Sequence, residues 1–224
     1  MEYRILGRTG LRVSLVGFGA GPISGLLTTA SHAEQVRVIR HAIDRGILWF
    51  DTAAGYGDGS SERNLGAVLY ELSAQESVHV ATKVRLADQD LVDIPAAIRR
   101  SVTNSLQRLR LPRVTLLQLH NGITRCRGDI PTSLTVNDVL GTGGVADTLF
   151  RLRDEGYFDW IGITGTGDAD CLREVICSQR FDTLQIPYHL ANPTAGNRVP
   201  ASFTESNAGN LFDACLAANL GIFA

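Results

Sequence analysis

An α/β fold of repeated parallel strand–helix units, a (β/α)8 TIM barrel entered through an N-terminal β-hairpin, is what three features of this 224-residue sequence predict. Short apolar runs alternate with longer amphipathic stretches along nearly the whole chain, which is the pattern of βα units. After the opening residues there is no antiparallel signature, and no linker breaks the alternation, so one domain over 1–224 is expected. The apolar runs also end in ionisable or small residues, which a parallel barrel gathers at one mouth.

The elements follow in order. Tyr3–Leu6 and Leu11–Leu15 flank Gly7-Arg8-Thr9-Gly10, two short runs around a glycine-punctuated turn, and read as a hairpin. Val16–Gly19 is a short strand entering a glycine-rich loop. Ser31 caps a helix to about Arg45, with Glu34 placed to complete a capping box. Ile47–Asp51 is a compact strand, and Ser60 or Ser61 opens a helix to about Leu72. Val78–Lys83, a helix from about Asp93 to Arg110, and Val114–His120 continue the alternation. The stretch 121–144, rich in Gly and Thr and holding Pro131, reads as a surface insertion. Helix Val145–Glu155 stops at Gly156, and strand Trp160–Thr164, helix Ala169–Ser178 and strand Thr183–Ile186 follow. A polar loop at 192–210 leads to a helix ending near Asn219, and Leu220–Ala224 begins a further strand. The count is seven strands after the hairpin and six intervening helices.

The open doubly wound sheet is the competing architecture. It would need GxGxxG directly between a strand and a helix. Gly17-Phe18-Gly19-Ala20-Gly21-Pro22 is instead followed by a non-helical stretch to Ser31, so the spacing is wrong.

Composition narrows the function classes. Net charge is −2, with 20% charged and 44% hydrophobic residues and no long run of one sign, which argues against an electrostatic grip on nucleic acid or on a membrane surface. No apolar run approaches the ~18 residues of a membrane span, and MEYRILGRTG lacks the features of a signal peptide, so a cytoplasmic location is expected. Cys126, Cys171, Cys177 and Cys215 form no CxxC pair and have no histidine at zinc-ligand spacing, so reduced, packing-type cysteines are expected. His32, His41, His79 and His189 likewise read as surface or packing residues, and no metal site is expected. A metal-dependent hydrolase using His120 and Asp51 would need more ligands at strand ends.

The strand ends carry the chemistry. Gly19, Asp51, Lys83, His120, Thr164 and Gln185 fall there, and Tyr56 lies five residues past Asp51 in Ala53-Ala54-Gly55-Tyr56-Gly57. Any one of these alone could be a turn former, a solvated charge or a packed ring. Ionisable groups at the ends of successive apolar strands point instead to a shared site.

In order and residue type, Asp51, Tyr56, Lys83 and His120 resemble the catalytic tetrad of the aldo-keto reductases. Leu6-Gly7-Arg8-Thr9-Gly10-Leu11, the run Phe50–Gly57, Ser61-Glu62 with Leu65-Gly66, Ala81-Thr82-Lys83, and Leu152–Gly156 before Ile161-Gly162-Ile163 also look like that family. The resemblance implies carbonyl reduction with NADPH, NADH being the alternative, on a small carbonyl or sugar substrate, or the reverse oxidation. It implies Tyr56 as proton donor, because a carbonyl accepting hydride builds charge on its oxygen. A phenol is a sluggish acid–base group at neutral pH, and Lys83 would stabilise its phenolate form. Asp51 would hold Lys83 in place and charged, and His120 would hydrogen-bond the carbonyl oxygen. Gly19, Asp51, Thr164 and Gln185 are the implied cofactor contacts, with Ala20 beside Gly19. Gln185 matches the position that hydrogen-bonds the nicotinamide carboxamide. Thr164 stands where the family usually has Ser, and Gly165 where Asn is common.

The sequence reaches Ala224 inside what reads as the seventh strand, so the last strand and helix units are expected to be missing. In the family, the aromatic residue that stacks on nicotinamide and the basic group for the adenosine phosphates lie beyond that point. A non-catalytic cofactor-sensing or remnant protein on the same scaffold is therefore the alternative reading.

Overall fold

The computed structural model describes residues 1–200 and 202–224 of the chain. Strands β1 (Tyr3–Ile5) and β2 (Arg12–Ser14) pair antiparallel, with Tyr3 opposite Ser14. The turn between them is glycine-dependent. Gly7 lies at φ 46°, and a Cβ there would run into the backbone of Leu220 and Gly221. The tip of the hairpin therefore approaches the last strand more closely than any other residue would allow.

Seven strands form one parallel sheet in the order β11-β10-β9-β6-β5-β4-β3. They are β3 (Phe18–Gly19), β4 (Trp49–Asp51), β5 (His79–Val84), β6 (Val114–Leu119), β9 (Phe158–Thr164), β10 (Thr183–Gln185) and β11 (Gly221–Phe223). Between them run α1 (His32–Asp44), α2 (Ser60–Glu71), α3 (Ile94–Leu109), α5 (Val145–Asp154), α6 (Ala169–Cys177) and α7 (Leu211–Ala217). Among the described residues, these seven parallel strands and these six helices are the ones the alternation predicts. In β5, Val80 through Val84 are all buried, as expected of a parallel strand covered on both faces.

The sheet curls. In a flat sheet β4 and β11, five places apart, would be separated by about 24 Å. Trp49 of β4 instead stacks on Phe223 of β11, with ring centroids 4.5 Å apart. Leu6, Val13, Trp49, Ala81 and Leu116 pack together with Trp160 and Phe223, so the hairpin plugs the lower end of the curl. The larger apolar core lies between the sheet and the helices.

Several local expectations change. The first strand of the sheet shrinks to Phe18–Gly19, because Leu15 and Val16 are exposed (58% and 53%). Ser31 caps α1 by accepting from the Glu34 amide at 3.3 Å, but the Glu34 carboxylate turns to Arg37, leaving half a capping box. The stretch 121–144 is no surface loop. It holds β7 (Ile123–Thr124) paired with β8 (Leu134–Thr135), then α4 (Val136–Leu140), and buries Ile123, Leu134 and Val139 completely or nearly so. The loop expected at 192–210 includes residue 201, which lies outside the described residues. Among the described residues, no helix is long and apolar enough to cross a membrane.

Candidate active site

One step up the strands from the apolar plug, the side chains inside the curl turn polar. Lys83 on β5 stands opposite Gln118 on β6, Gln118 opposite Gly162 on β9, and Thr164 opposite Gln185 on β10. Period-two alternation is the cause: residues two apart share a face, so Trp49 and Asp51, Ala81 and Lys83, and Leu116 and Gln118 form an apolar layer beneath a polar one. Gly162 makes room for this layer. A Cβ there would collide with the Thr183 hydroxyl and lie 3.2 Å from Gln118 Cγ.

Lys83 is the centre of the layer. Its side chain is 1% exposed, and Nζ donates to Asp51 Oδ2 at 2.5 Å, to the Thr52 carbonyl at 2.8 Å and to the Tyr56 hydroxyl at 3.3 Å. Three acceptors satisfy all three ammonium protons. Asp51 accepts further from Gln118 Nε2 at 3.2 Å and from Gln185 Nε2 at 3.3 Å, and Gln118 Nε2 also reaches Gln185 Oε1 at 3.1 Å. The remaining polar atom, Gln118 Oε1, is buried without a partner.

The loop that carries Tyr56 is tied down from behind. Ser61 donates to the Ala20 carbonyl at 2.7 Å and shares a 2.8 Å bond with the Thr52 hydroxyl. Gly57 and Gly59 at φ 58° and 76° turn the chain into α2. Glu62, fully buried, accepts from Thr82 Oγ1 at 2.5 Å and Arg108 Nε at 2.6 Å, fastening the start of α2 to the strand that carries Lys83.

His120 follows β6, with its ring edge-on to the Tyr56 ring at 6.0 Å. Burial, and then the nearby cations Lys83 and Arg85, push its imidazole down to about 4, so it is neutral at pH 7. Arg85 grips the same segment, donating from Nε and Nη2 to the His120 carbonyl at 3.3 and 3.1 Å.

Of the residues expected at the site, Asp51, Lys83 and Tyr56 are directly bonded, and His120 meets Tyr56 through ring contact. Gln185 joins the network through Asp51. Thr164 lies beside it, its hydroxyl donating to the Leu119 carbonyl at 3.2 Å. Gly19 sits on the edge strand opposite Asp51, and the Ala20 amide donates to the Asp51 carbonyl at 2.8 Å. Gly19 and Asp51, with Phe18, Gln185 and Phe223, line a cavity of about 690 Å³ between the two edges of the sheet. A second cavity of about 450 Å³ opens over Tyr56, Lys83 and His120.

Three contributors escape a reading by strand ends: Gln118, the Thr52 carbonyl and Arg85. The signal for two of them is parity. Gln118 is a lone amide two residues before His120 in an apolar strand, and Arg85 lies two residues past Lys83.

The donor set suits a carboxamide-bearing cofactor. Thr164 keeps free lone pairs, Gln185 keeps one N–H and one lone pair, and Gln118 Oε1 lacks a donor. At Gly165, which departs from the common Asn, a Cβ would press to 2.7 Å of the Ile186 side chain, so the packing there calls for glycine.

The model of the Aldo/keto reductase family matches residues 15–224. The chain is 36% identical over 166 residues to L-galactose dehydrogenase of Arabidopsis thaliana, covering 74% of the chain and 49% of that enzyme. It is 30% identical over 227 residues to D-threo-aldose 1-dehydrogenase of a Pseudomonas species, covering 89% and 65%. An aldo-keto reductase from Klebsiella pneumoniae, solved in complex with NADPH, superposes with a TM-score of 0.71 at 22% identity, covering 99% of this chain and 67% of that one. The chain thus spans about half to two thirds of the length of these relatives.

Proposed function

The chain belongs to the aldo/keto reductase family, and we propose on that premise that its site interconverts a small carbonyl compound or sugar and the corresponding alcohol, with NADPH as cofactor and NADH as the alternative. The observation that carries this reading is the triple bond set of the buried Lys83 ammonium, which joins Asp51 to the Tyr56 hydroxyl beside a neutral His120.

Tyr56 donates the proton to the carbonyl oxygen. Lys83, hydrogen-bonded to that phenol oxygen, stabilises the phenolate left behind. Asp51 balances the Lys83 charge and fixes its position. A neutral His120 donates one ring N–H to the carbonyl oxygen and orients it; an imidazolium would compete with Tyr56 as the acid. Gly19, Asp51, Thr164 and Gln185 are the residues that would hold the cofactor, and when bound it supplies hydride to the carbonyl carbon. The names of the two dehydrogenases above support a hydroxylated, sugar-like substrate. The curl of the seven-stranded sheet supports reading it as part of a (β/α)8 barrel, with the mouth at the strand ends that carry these residues.

The test is Tyr56→Phe, assayed for NADPH-dependent reduction of small aldehydes and for oxidation of sugars. Loss of the proton donor is expected to lower kcat by about 10²–10⁴-fold while NADPH binding persists. A variant within threefold of the parent would remove Tyr56 from the reaction.

A further inference from the structure

The smaller cavity, about 450 Å³, is lined by Tyr56, Lys83, Arg85, Ser101, His120 and Thr132 among others, and not by any aspartate or glutamate. Its charges are unbalanced. Lys83 is compensated from below by Asp51. Among the described residues, no carboxylate lies within ion-pair distance of Arg85 or lines its cavity.

The Arg85 guanidinium is also held in place. Nε and Nη2 both point to the His120 carbonyl, and Nη1 has no protein partner. The backbone that follows is clamped by Asn121, 1% exposed, which accepts from the Leu86 amide at 2.9 Å and donates to the Leu86 and Thr132 carbonyls at 2.8 and 2.6 Å. Arg85 is an exposed residue tethered through Nε and Nη2, with free N–H groups beside the groups that would act on the carbonyl. A guanidinium fork suits carboxylate or phosphate oxygens.

We propose that Arg85 is a specificity-determining residue that selects carbonyl substrates bearing an anionic group. This rests on the reductase reading above and adds the substrate class to it. A cavity carrying net positive charge concentrates anions, and a charge-assisted contact made by an exposed arginine discriminates by about two- to fivefold.

The experiment compares matched pairs in steady-state reduction: succinic semialdehyde with butanal, glucuronate with glucose, and glyceraldehyde 3-phosphate with glyceraldehyde. Expected is a kcat/KM about two- to fivefold higher for the anionic member of a pair, reduced by added salt. The carboxylate and phosphate arms show which anion the fork takes. In Arg85→Gln the ratio should collapse towards unity, and Arg85→Lys should keep part of it. A parent ratio at or below unity, or one that Arg85→Gln leaves intact, overturns the proposal while the reductase reading stands.

A second readout needs no turnover. Titration with butyrate should shift the His120 ring NMR resonances in the parent protein and not in Arg85→Gln. If no pair is turned over but this difference appears, the reductase reading fails and the anion site stands. If butyrate shifts both proteins alike or neither, the anion site fails.

Discussion

Replacing Asp51 with asparagine isolates a charge in the interior. Lys83 is 1% exposed and Asp51 14%, so the ammonium is largely withdrawn from water and depends on that carboxylate for compensation. In Asp51→Asn it keeps the Thr52 carbonyl and the Tyr56 hydroxyl, both neutral. Leaving one charge of a buried pair uncompensated typically costs about 3–5 kcal/mol, and the upper half of that range is expected here. Lys83→Met should cost less, because Asp51 is nearer solvent and still accepts from Gln118 and Gln185. In the double variant Asp51→Asn/Lys83→Met no charge remains, and a neutral pair of similar volume is often close to neutral in stability. The double variant should thus be more stable than Asp51→Asn alone, with a coupling on the order of 3 kcal/mol. Urea unfolding of the four proteins, with unchanged m-values, measures this. A cost below about 1 kcal/mol for Asp51→Asn, or a double variant no more stable than it, would refute the account of Lys83 as a buried, singly compensated cation.

Two further outcomes follow from the packing. The unfolded chain takes a proton on His120 near the ordinary 6.5 while the folded protein holds it down to about 4, so between those values the unfolded state binds more protons. This residue's contribution to stability is therefore full above pH 6.5 and is lost as pH falls towards 4, and NMR titration of its ring should give a midpoint near 4; one near 6.5 contradicts the burial argument. Gly66 on α2 packs against α3 so closely that a Cβ would run into the Leu109 backbone carbonyl. Gly66→Ala should lower Tm, because overpacking of about 1–3 kcal/mol exceeds the ~1 kcal/mol gain in helix propensity, and a raised Tm would show that the helices can move apart.

The sequence by itself was enough for the strand and helix alternation, for the residues at the strand ends and for the hairpin, because these are local. Period-two parity places Asp51 above Trp49 and Lys83 above Ala81 whatever the rest of the chain does. Parity read further along the same strands would also have marked Gln118 and Arg85. What depends on the curl of the sheet was not legible. That β4 meets β11, so that Trp49 stacks on Phe223 and the hairpin closes the lower end, follows from accumulated strand twist over seven strands. Nor did local pattern show that Glu62 on α2 would reach both Thr82 and Arg108, or that residues 121–144 would fold into β7, β8 and α4 and pin the chain behind Arg85 through Asn121. These bonds join residues far apart in sequence, and their partners are chosen by which surfaces the packed helices bring together. The sequence supplied the chemical groups; only the tertiary structure decided which of them share a proton, a charge or a cavity.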